Sequence, residues 1–254
     1  MPIALLTDFG TSDYYVGAMK GVILSIDPDA SIVDITHEIE PQNIASAAFI
    51  LRACYEDFPT NTIFLCVVDP GVGSERRAII AQTESYIFVG PDNGLFSFIL
   101  KETATIHAIE NETYFRYPVS STFHGRDIFA PVAAHLSKGV GLMEFGPQIS
   151  DSVVLPDSHP WQISESTIEG SVIHIDRFGN LVTNIPASVA GRFDVIEIGD
   201  TRITQLKRTY ADGRSDEPFA IVGSAGFIEI SFNRGSAAQT LKASYDTKVT
   251  LRLK

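Results

Sequence analysis

Three stretches of this 254-residue chain set reactive side chains close together beside a glycine. The first is VVDPGVGSERRA, residues 67–78, where an apolar run enters Asp69, turns through Pro70, Gly71, Val72, Gly73 and Ser74, and reaches Arg76. A glycine-rich turn after a strand invites a phosphate, yet Asp69 would repel one and the Lys-Ser/Thr ending of a phosphate loop is missing. The second is TFHGRD, residues 122–127, which places His124 and Arg126 just ahead of an apolar helical run. A histidine there can titrate near neutrality, because its reference pKa is about 6.5. The third is IDRFGNLVTNI, residues 175–185, where Asp176, Phe178 and Asn180 surround Gly179. An asparagine amide can read an adenine edge, and an aromatic ring can stack on the base.

The elements that position these residues follow from apolar spacing. Residues 3–6 read as a buried strand ending at Thr7 and Asp8. Residues 12–26 carry Val16, Met19, Val22, Ile23 and Ile26 at helical spacing, with Ser12 as the expected cap and Pro28 as the stop. A strand over 31–35, an amphipathic helix over 43–58 and a strand over 62–68 follow, then strands at 78–81 and 86–89 and a helix over 127–139 capped by Asp127. Near-continuously apolar strands alternating with helices predict a mostly parallel sheet covered on both faces. From residue 155 the character changes. LPDSHPWQISES reads as a linker, and beyond it short alternating strands such as KVTLRLK predict a small barrel or sandwich. The expected organisation is an α/β domain over 1–155 and a smaller all-β, barrel-like domain over 166–254.

In an open parallel sheet, ligands bind beyond the carboxyl ends of the strands. Asp8 ends the first strand and Asp69 the third, and the TDFGTSD loop brings Asp13 to the same edge. That acidic edge suits a ribose diol, an ammonium or a sulfonium. Each residue also has a plainer reading. Asp8 and Asp13 can cap the next helix, Asp69 can begin a turn, His124 can be a surface side chain, and the Gly179 turn can be a simple hairpin.

Composition narrows the classes. The net charge is −12, and the one basic cluster, LKRTYADGR, is followed by acids, so nucleic acid is not an expected partner. No apolar run reaches the roughly 20 residues of a membrane span, and the amino end lacks the basic region of a signal peptide. A cytoplasmic location follows as the expectation. Cys54 and Cys66 lack metal-ligand spacing and read as small buried hydrophobes, not a disulfide. No HExxH or CxxC occurs, and no metal is expected.

Taken together, TDFGTSDYYVGAMKGVI, DPGVGSERR, GPDNGL, FHGRD, IDRFGNLVTNI and GFIEISFNRGSAA, in that order and across nearly the whole chain, resemble the S-adenosyl-L-methionine (SAM) hydroxide adenosyltransferases. These SAM hydrolases are related to the fluorinase and chlorinase that make 5′-halo-adenosines. The resemblance implies an amino-terminal α/β domain, a carboxy-terminal β-barrel-like domain and a homotrimer. Each site would lie between the amino domain of one subunit and the carboxy domain of its neighbour. The implied reaction is SAM plus water giving adenosine and L-methionine, with SAM as substrate and no cofactor. Asp69, Arg76 and His124 match the family's catalytic set. Asp8 would hold the ribose diol, and Asp13 and Asp176 the methionine ammonium. Phe178 and Asn180 would contact the adenine, Tyr210 would stack on it, and Ser224 would meet the methionine carboxylate. In the halogenases an arginine follows that serine, where this chain has Ala225. The halogenases also carry a tyrosine at the position of Asp69 and lack the histidine, so a halide-using transferase is the second reading. A SAM or adenosine sensor with negligible turnover is the third.

Overall fold

The computed structural model describes residues 1–100, 104–155 and 161–254. Two compact units divide the chain, Met1–Leu155 and Pro156–Lys254. Together they form a mixed α/β fold with one sheet in each unit.

The first unit runs β1 (Ile3–Thr7), α1 (Tyr15–Ile26), β2 (Ile32–Thr36), α2 (Ile44–Cys54), β3 (Ile63–Val67), β4 (Ala78–Gln82), β5 (Ile87–Pro91), α3 (Ser97–Leu100), β6 (Thr105–Ala108), α4 (Ala130–Ser137) and β7 (Gln148–Ile149). Its sheet order is β2-β1-β3-β5-β4-β6-β7. The β2, β1, β3 and β5 strands pair in parallel, whereas β4, β6 and β7 join through antiparallel ladders. The sheet is therefore mixed. The segment linking β4 to β5 is too short for a parallel crossover, so the two close as an antiparallel pair.

Strand alternation sorts the core into two layers. Ile3 and Leu5 of β1 join Ile63, Leu65 and Val67 of β3 under Met19 and Ile23 of α1 and under α4. Ala4 and Leu6 face the other way with Phe64 and Cys66, under Ala47 and Leu51 of α2. Burying both faces explains why these strands are apolar at every position but the terminal Thr7.

Three helix expectations change. The first helix begins at Tyr15, with Tyr14 at its cap position and no side-chain cap, so Ser12 does not cap it. The helix expected over 43–58 is α-helical only to Cys54, then tightens into a 3₁₀ turn at Tyr55–Asp57, and the Asn43 side chain caps its start by accepting from the Ser46 amide at 2.9 Å. The helix expected from Asp127 opens two residues earlier as a π turn, Gly125–Phe129, that runs into α4. Asp127 lies inside that turn, fully buried, and its partners are described with the site.

The second unit runs β8 (Trp161–Ser164), β9 (Thr167–Ile175), β10 (Leu181–Pro186), β11 (Phe193–Ile198), β12 (Thr201–Ile203), β13 (Leu206–Lys207), β14 (Phe219–Val222), β15 (Phe227–Ser231), α5 (Ala237–Leu241) and β16 (Lys248–Leu253). Strand β8 occupies part of the stretch expected to be a linker, and residues 156–160 of that stretch lie outside the described residues. The sheet path is β12-β11-β16-β9-β10-β15-β14-β13, with β8 added on β9. Long strand β9 is shared: residues up to Ser171 pair with β16, and from Val172 onward it pairs with β10. That handover curls the sheet around Val172, Leu181, Ile185, Ile228, Ile230, Val249 and Leu251. In β16 the expected alternation holds, with Val249, Leu251 and Leu253 buried.

Candidate active site

The four parallel strands of the first unit end at one edge, and the chain leaves them through Asp8, His37, Asp69 and Asp92. Asp8 accepts the Gln42 amide at 2.8 Å. Burial pushes its carboxyl above the ordinary range, and the charge of Asp69 adds to that push, so the two acids feel each other. Asp13 is exposed in the turn before α1.

The glycine turn after β3 holds itself together. The Ser74 amide and hydroxyl both donate to the Gly71 carbonyl, at 3.1 and 2.7 Å. Gly73 has φ +76°, and an ideal Cβ there would lie 2.2 Å from the Ser121 carbonyl oxygen. No other residue fits this close approach. The turn thus serves to press the Asp69–Arg76 loop against the segment that leads into His124. Gly73→Ala should lower both the melting temperature and turnover in the folded fraction. Activity and melting equal to the parent would contradict this packing role.

Arg76 is the hub. Its Nε donates to Asp69 Oδ1 at 2.9 Å and Oδ2 at 3.1 Å, and its Nη2 donates to Oδ2 at 2.5 Å. The same Nη2 lies 2.8 Å from His124 Nδ1. The Asp69 and Arg76 side chains are 4% and 11% exposed, so this pair is desolvated and a one-sided deletion leaves a buried charge. The guanidinium also sits 5.2 Å from the Phe129 ring centre.

Donor chemistry fixes the histidine tautomer. A guanidinium has no acceptor, so His124 Nδ1 must accept and its proton must reside on Nε2. Burial lowers the His124 pKa, and Arg76 lowers it further, against the opposing charges of Asp69 and Asp127. The ring is therefore neutral at pH 7, with Nε2–H as a donor.

The π turn that carries His124 is tied down by Asp127. Its Oδ1 accepts from Arg116 Nη1 at 3.0 Å and Arg126 Nε at 2.7 Å, and its Oδ2 from Arg126 Nη2 at 2.8 Å and the Ser120 amide at 2.9 Å. Burial alone would raise its pKa, but the Arg126, Ser120 and Arg116 hydrogen bonds outweigh it and hold the carboxyl low. Arg126 is thus an anchor and not part of the Asp69–Arg76–His124 chain. Gly125 packs against Phe9 and Met19, where an added Cβ would come within 3.3 Å of the Met19 sulfur.

In the second unit, Asp176 organises its own turn. Its Oδ1 accepts from the Phe178 and Asn180 amides at 2.9 and 2.8 Å, and its Oδ2 from the Asn180 side chain at 2.7 Å. Gly179 has φ +82° and abuts Ser236, whose Oγ would be 2.1 Å from an added Cβ. Phe178 is 78% exposed and Asn180 is buried. Tyr210 donates its hydroxyl to Glu229 Oε2 at 2.9 Å. Ser224 is exposed in the turn between β14 and β15. Sequence reasoning passed over Glu229, although the sole signal was in view: a carboxylate between Ile228 and Ile230 in an apolar strand.

No group of three or more His, Cys, Asp or Glu among the described residues could hold a metal ion. No helix among them is long and apolar enough to cross a membrane. Cys66 is buried and Cys54 partly so; both are free, and burial pushes the Cys54 thiol up to about 11, away from nucleophilic use.

Comparison with known proteins adds to this geometry. Residues 3–146 match the profile of the SAM hydroxide adenosyltransferase N-terminal domain, and residues 170–250 match that of the C-terminal domain. The chain is 36% identical to an (R)-S-adenosyl-L-methionine hydrolase of Thermus thermophilus, over 94% of this chain and 95% of the relative. It is 38% identical to another of that name from Methanocaldococcus jannaschii, over 96% and 92%. Fluorinases match at lower identity, 28% for one from an Actinoplanes species, over 98% and 97%. A crystal structure of an uncharacterized conserved protein from Thermotoga maritima superposes with a TM-score of 0.91 at 39% identity, over 98% of this chain and 99% of that one.

Proposed function

The chain belongs to the SAM hydroxide adenosyltransferase family, and from that premise we propose that it hydrolyses S-adenosyl-L-methionine to adenosine and L-methionine. The observation that carries this reading is the buried Asp69–Arg76–His124 chain of hydrogen bonds at the carboxyl edge of the parallel strands.

Water attacks C5′ in line with the departing sulfur. The new O–C5′ bond forms as C5′–S breaks, and the bonding pair leaves on sulfur, which becomes the neutral thioether of methionine. One water proton must go. Arg76 stays protonated and cannot take it. His124 Nδ1 is occupied by Arg76 and Nε2 already carries a proton, so the ring donates to the nucleophile instead of accepting from it. Asp69 is left as the acceptor: its Oδ1 receives one hydrogen bond and retains a lone pair. General-base assistance of this kind is worth about 10²–10⁴-fold. The reaction needs no general acid, because the leaving group departs uncharged. No cofactor enters the proposal.

Asp8 holds the ribose diol in this reading, Asp13 and Asp176 the ammonium, Phe178, Asn180 and Tyr210 the adenine, and Ser224 the carboxylate. A cytoplasmic homotrimer with sites shared between subunits belongs to the same proposal. So do the domain bounds, an α/β domain over 1–155 and a barrel-like domain over 166–254.

The hydrolase relatives are named for the (R) sulfonium epimer. A site that grips both the adenosyl and the amino-acid ends meets the two epimers with the sulfur methyl pointing to opposite sides, and we extend the preference for (R) to this chain. Incubation with a mixture of both epimers, followed by chromatographic separation, tests it. Faster loss of (R)-SAM with matching adenosine and methionine is expected. Equal loss of both epimers would remove the stereochemical preference, and no loss of either would remove the hydrolase reading.

A further inference from the structure

Glu229 is a buried carboxylate in the middle of a sheet, flanked in sequence by the fully buried Ile228 and Ile230. Burying a carboxylate is costly unless it is bonded, so its partners matter. One is the Tyr210 hydroxyl, on Oε2 at 2.9 Å. Its other oxygen lies under Gly223, where an ideal Cβ would come within 1.8 Å of Oε1. Gly223 opens the turn that carries Ser224, closed by bonds from the Gly223 amide to the Phe227 carbonyl and from the Gly226 amide to the Gly223 carbonyl. Strand β10 pairs with β15, Leu181 opposite Ile230 and Val182 opposite Glu229, which places the Asp176 turn that leads into β10 in the same neighbourhood.

Tyr210 itself is fixed at both ends. Its backbone starts a 3₁₀ turn closed by a capping box between Thr209 and Asp212. Its hydroxyl is tethered inward, yet the residue remains 45% exposed. The ring is thus an open face held at its root and tip. A platform that is already ordered loses little side-chain entropy when a flat base stacks on it.

Building on the hydrolase reading above, we propose that Glu229 is a positioning residue that holds the Tyr210 ring in the orientation that receives the adenosyl end of the substrate. It touches no reacting atom. Its effect therefore falls on binding of both ground state and transition state, and on KM more than kcat.

The test uses full-length Tyr210→Phe, Glu229→Gln, Glu229→Leu and the Tyr210→Phe/Glu229→Leu pair, with melting curves to confirm folding. Steady-state kinetics with SAM and calorimetric titration with adenosine are the readouts. Tyr210→Phe and Glu229→Leu should each raise KM and the adenosine Kd about tenfold, the size of a lost hydrogen bond to a charged group, with kcat changed far less. Glu229→Gln keeps an acceptor and should stay within about threefold of the parent. In the Tyr210→Phe background, Glu229→Leu should have little further effect, because the tether it would break is already gone. Should Glu229→Leu fail to fold, Tyr210→Phe alone still decides the matter, because it removes the same tether. Parent-like affinity in Tyr210→Phe, or independent additive losses in the pair, would overturn the inference while leaving hydrolysis intact. A parent protein that neither consumes SAM nor binds adenosine would overturn the hydrolase reading and this inference with it.

Discussion

In Asp69→Asn, turnover of SAM falls about 10²–10⁴-fold, the worth of a positioned general base. The amide is close in size to the carboxylate, but only its carbonyl oxygen can accept from Arg76 and its NH2 faces a guanidinium N–H, so a melting curve accompanies the kinetics to confirm the fold. What disappears is the proton acceptor and the charge that balances a guanidinium only 11% exposed. KM should stay within about threefold, because uniform binding does not depend on the lost step. Single-turnover measurement of adenosine release gives the chemical rate directly. Full turnover in this variant would move the base elsewhere. Arg76→Lys should fall in the same range for a different reason: an ammonium keeps the charge but cannot bridge Asp69 and His124 with one planar fork.

The second large effect is on pH. His124 must be neutral to accept from Arg76 at Nδ1. Burial and then Arg76 hold its pKa below the ordinary histidine value of 6.5. Activity should therefore persist as pH drops to about 6.5 and fall below it, when a proton on Nδ1 confronts the Arg76 donor. His124→Gln keeps a donor and an acceptor but no titrating group, so it should retain part of its activity at neutral pH and lose that acid limb. An acid limb unchanged in His124→Gln, or one centred above pH 6.5 in the parent, would show that another group titrates.

Local chemistry made much of this legible. The apolar strands and the rule that ligands gather at their carboxyl ends put Asp8 and Asp69 on one edge from sequence alone. The direct bond from Arg76 to His124 was not legible in residue spacing, since the two are 48 positions apart and meet only because Gly73 lets the turn press on Ser121. The family resemblance supplied their grouping, and the structure supplies the atoms. By spacing Asp127 reads as a helix cap, because capping is the commonest use of an acid at that place. Two arginines and the Ser120 amide compete for its oxygens and draw it into the fold instead. Ser12 lost its capping role because the helix starts three residues later than the apolar pattern suggested. Glu229 escaped notice because its worth depends on Tyr210, 19 residues away.

The central claim is that Asp69, Arg76 and His124 direct water onto C5′ of SAM. Incubating the protein with SAM in ¹⁸O-water containing chloride, with mass spectrometry of the products, tests it most directly. Adenosine carrying one ¹⁸O at the 5′ position, in step with methionine, is the predicted result. Unlabelled adenosine, 5′-chloro-5′-deoxyadenosine, or SAM returned bound but intact would each contradict it.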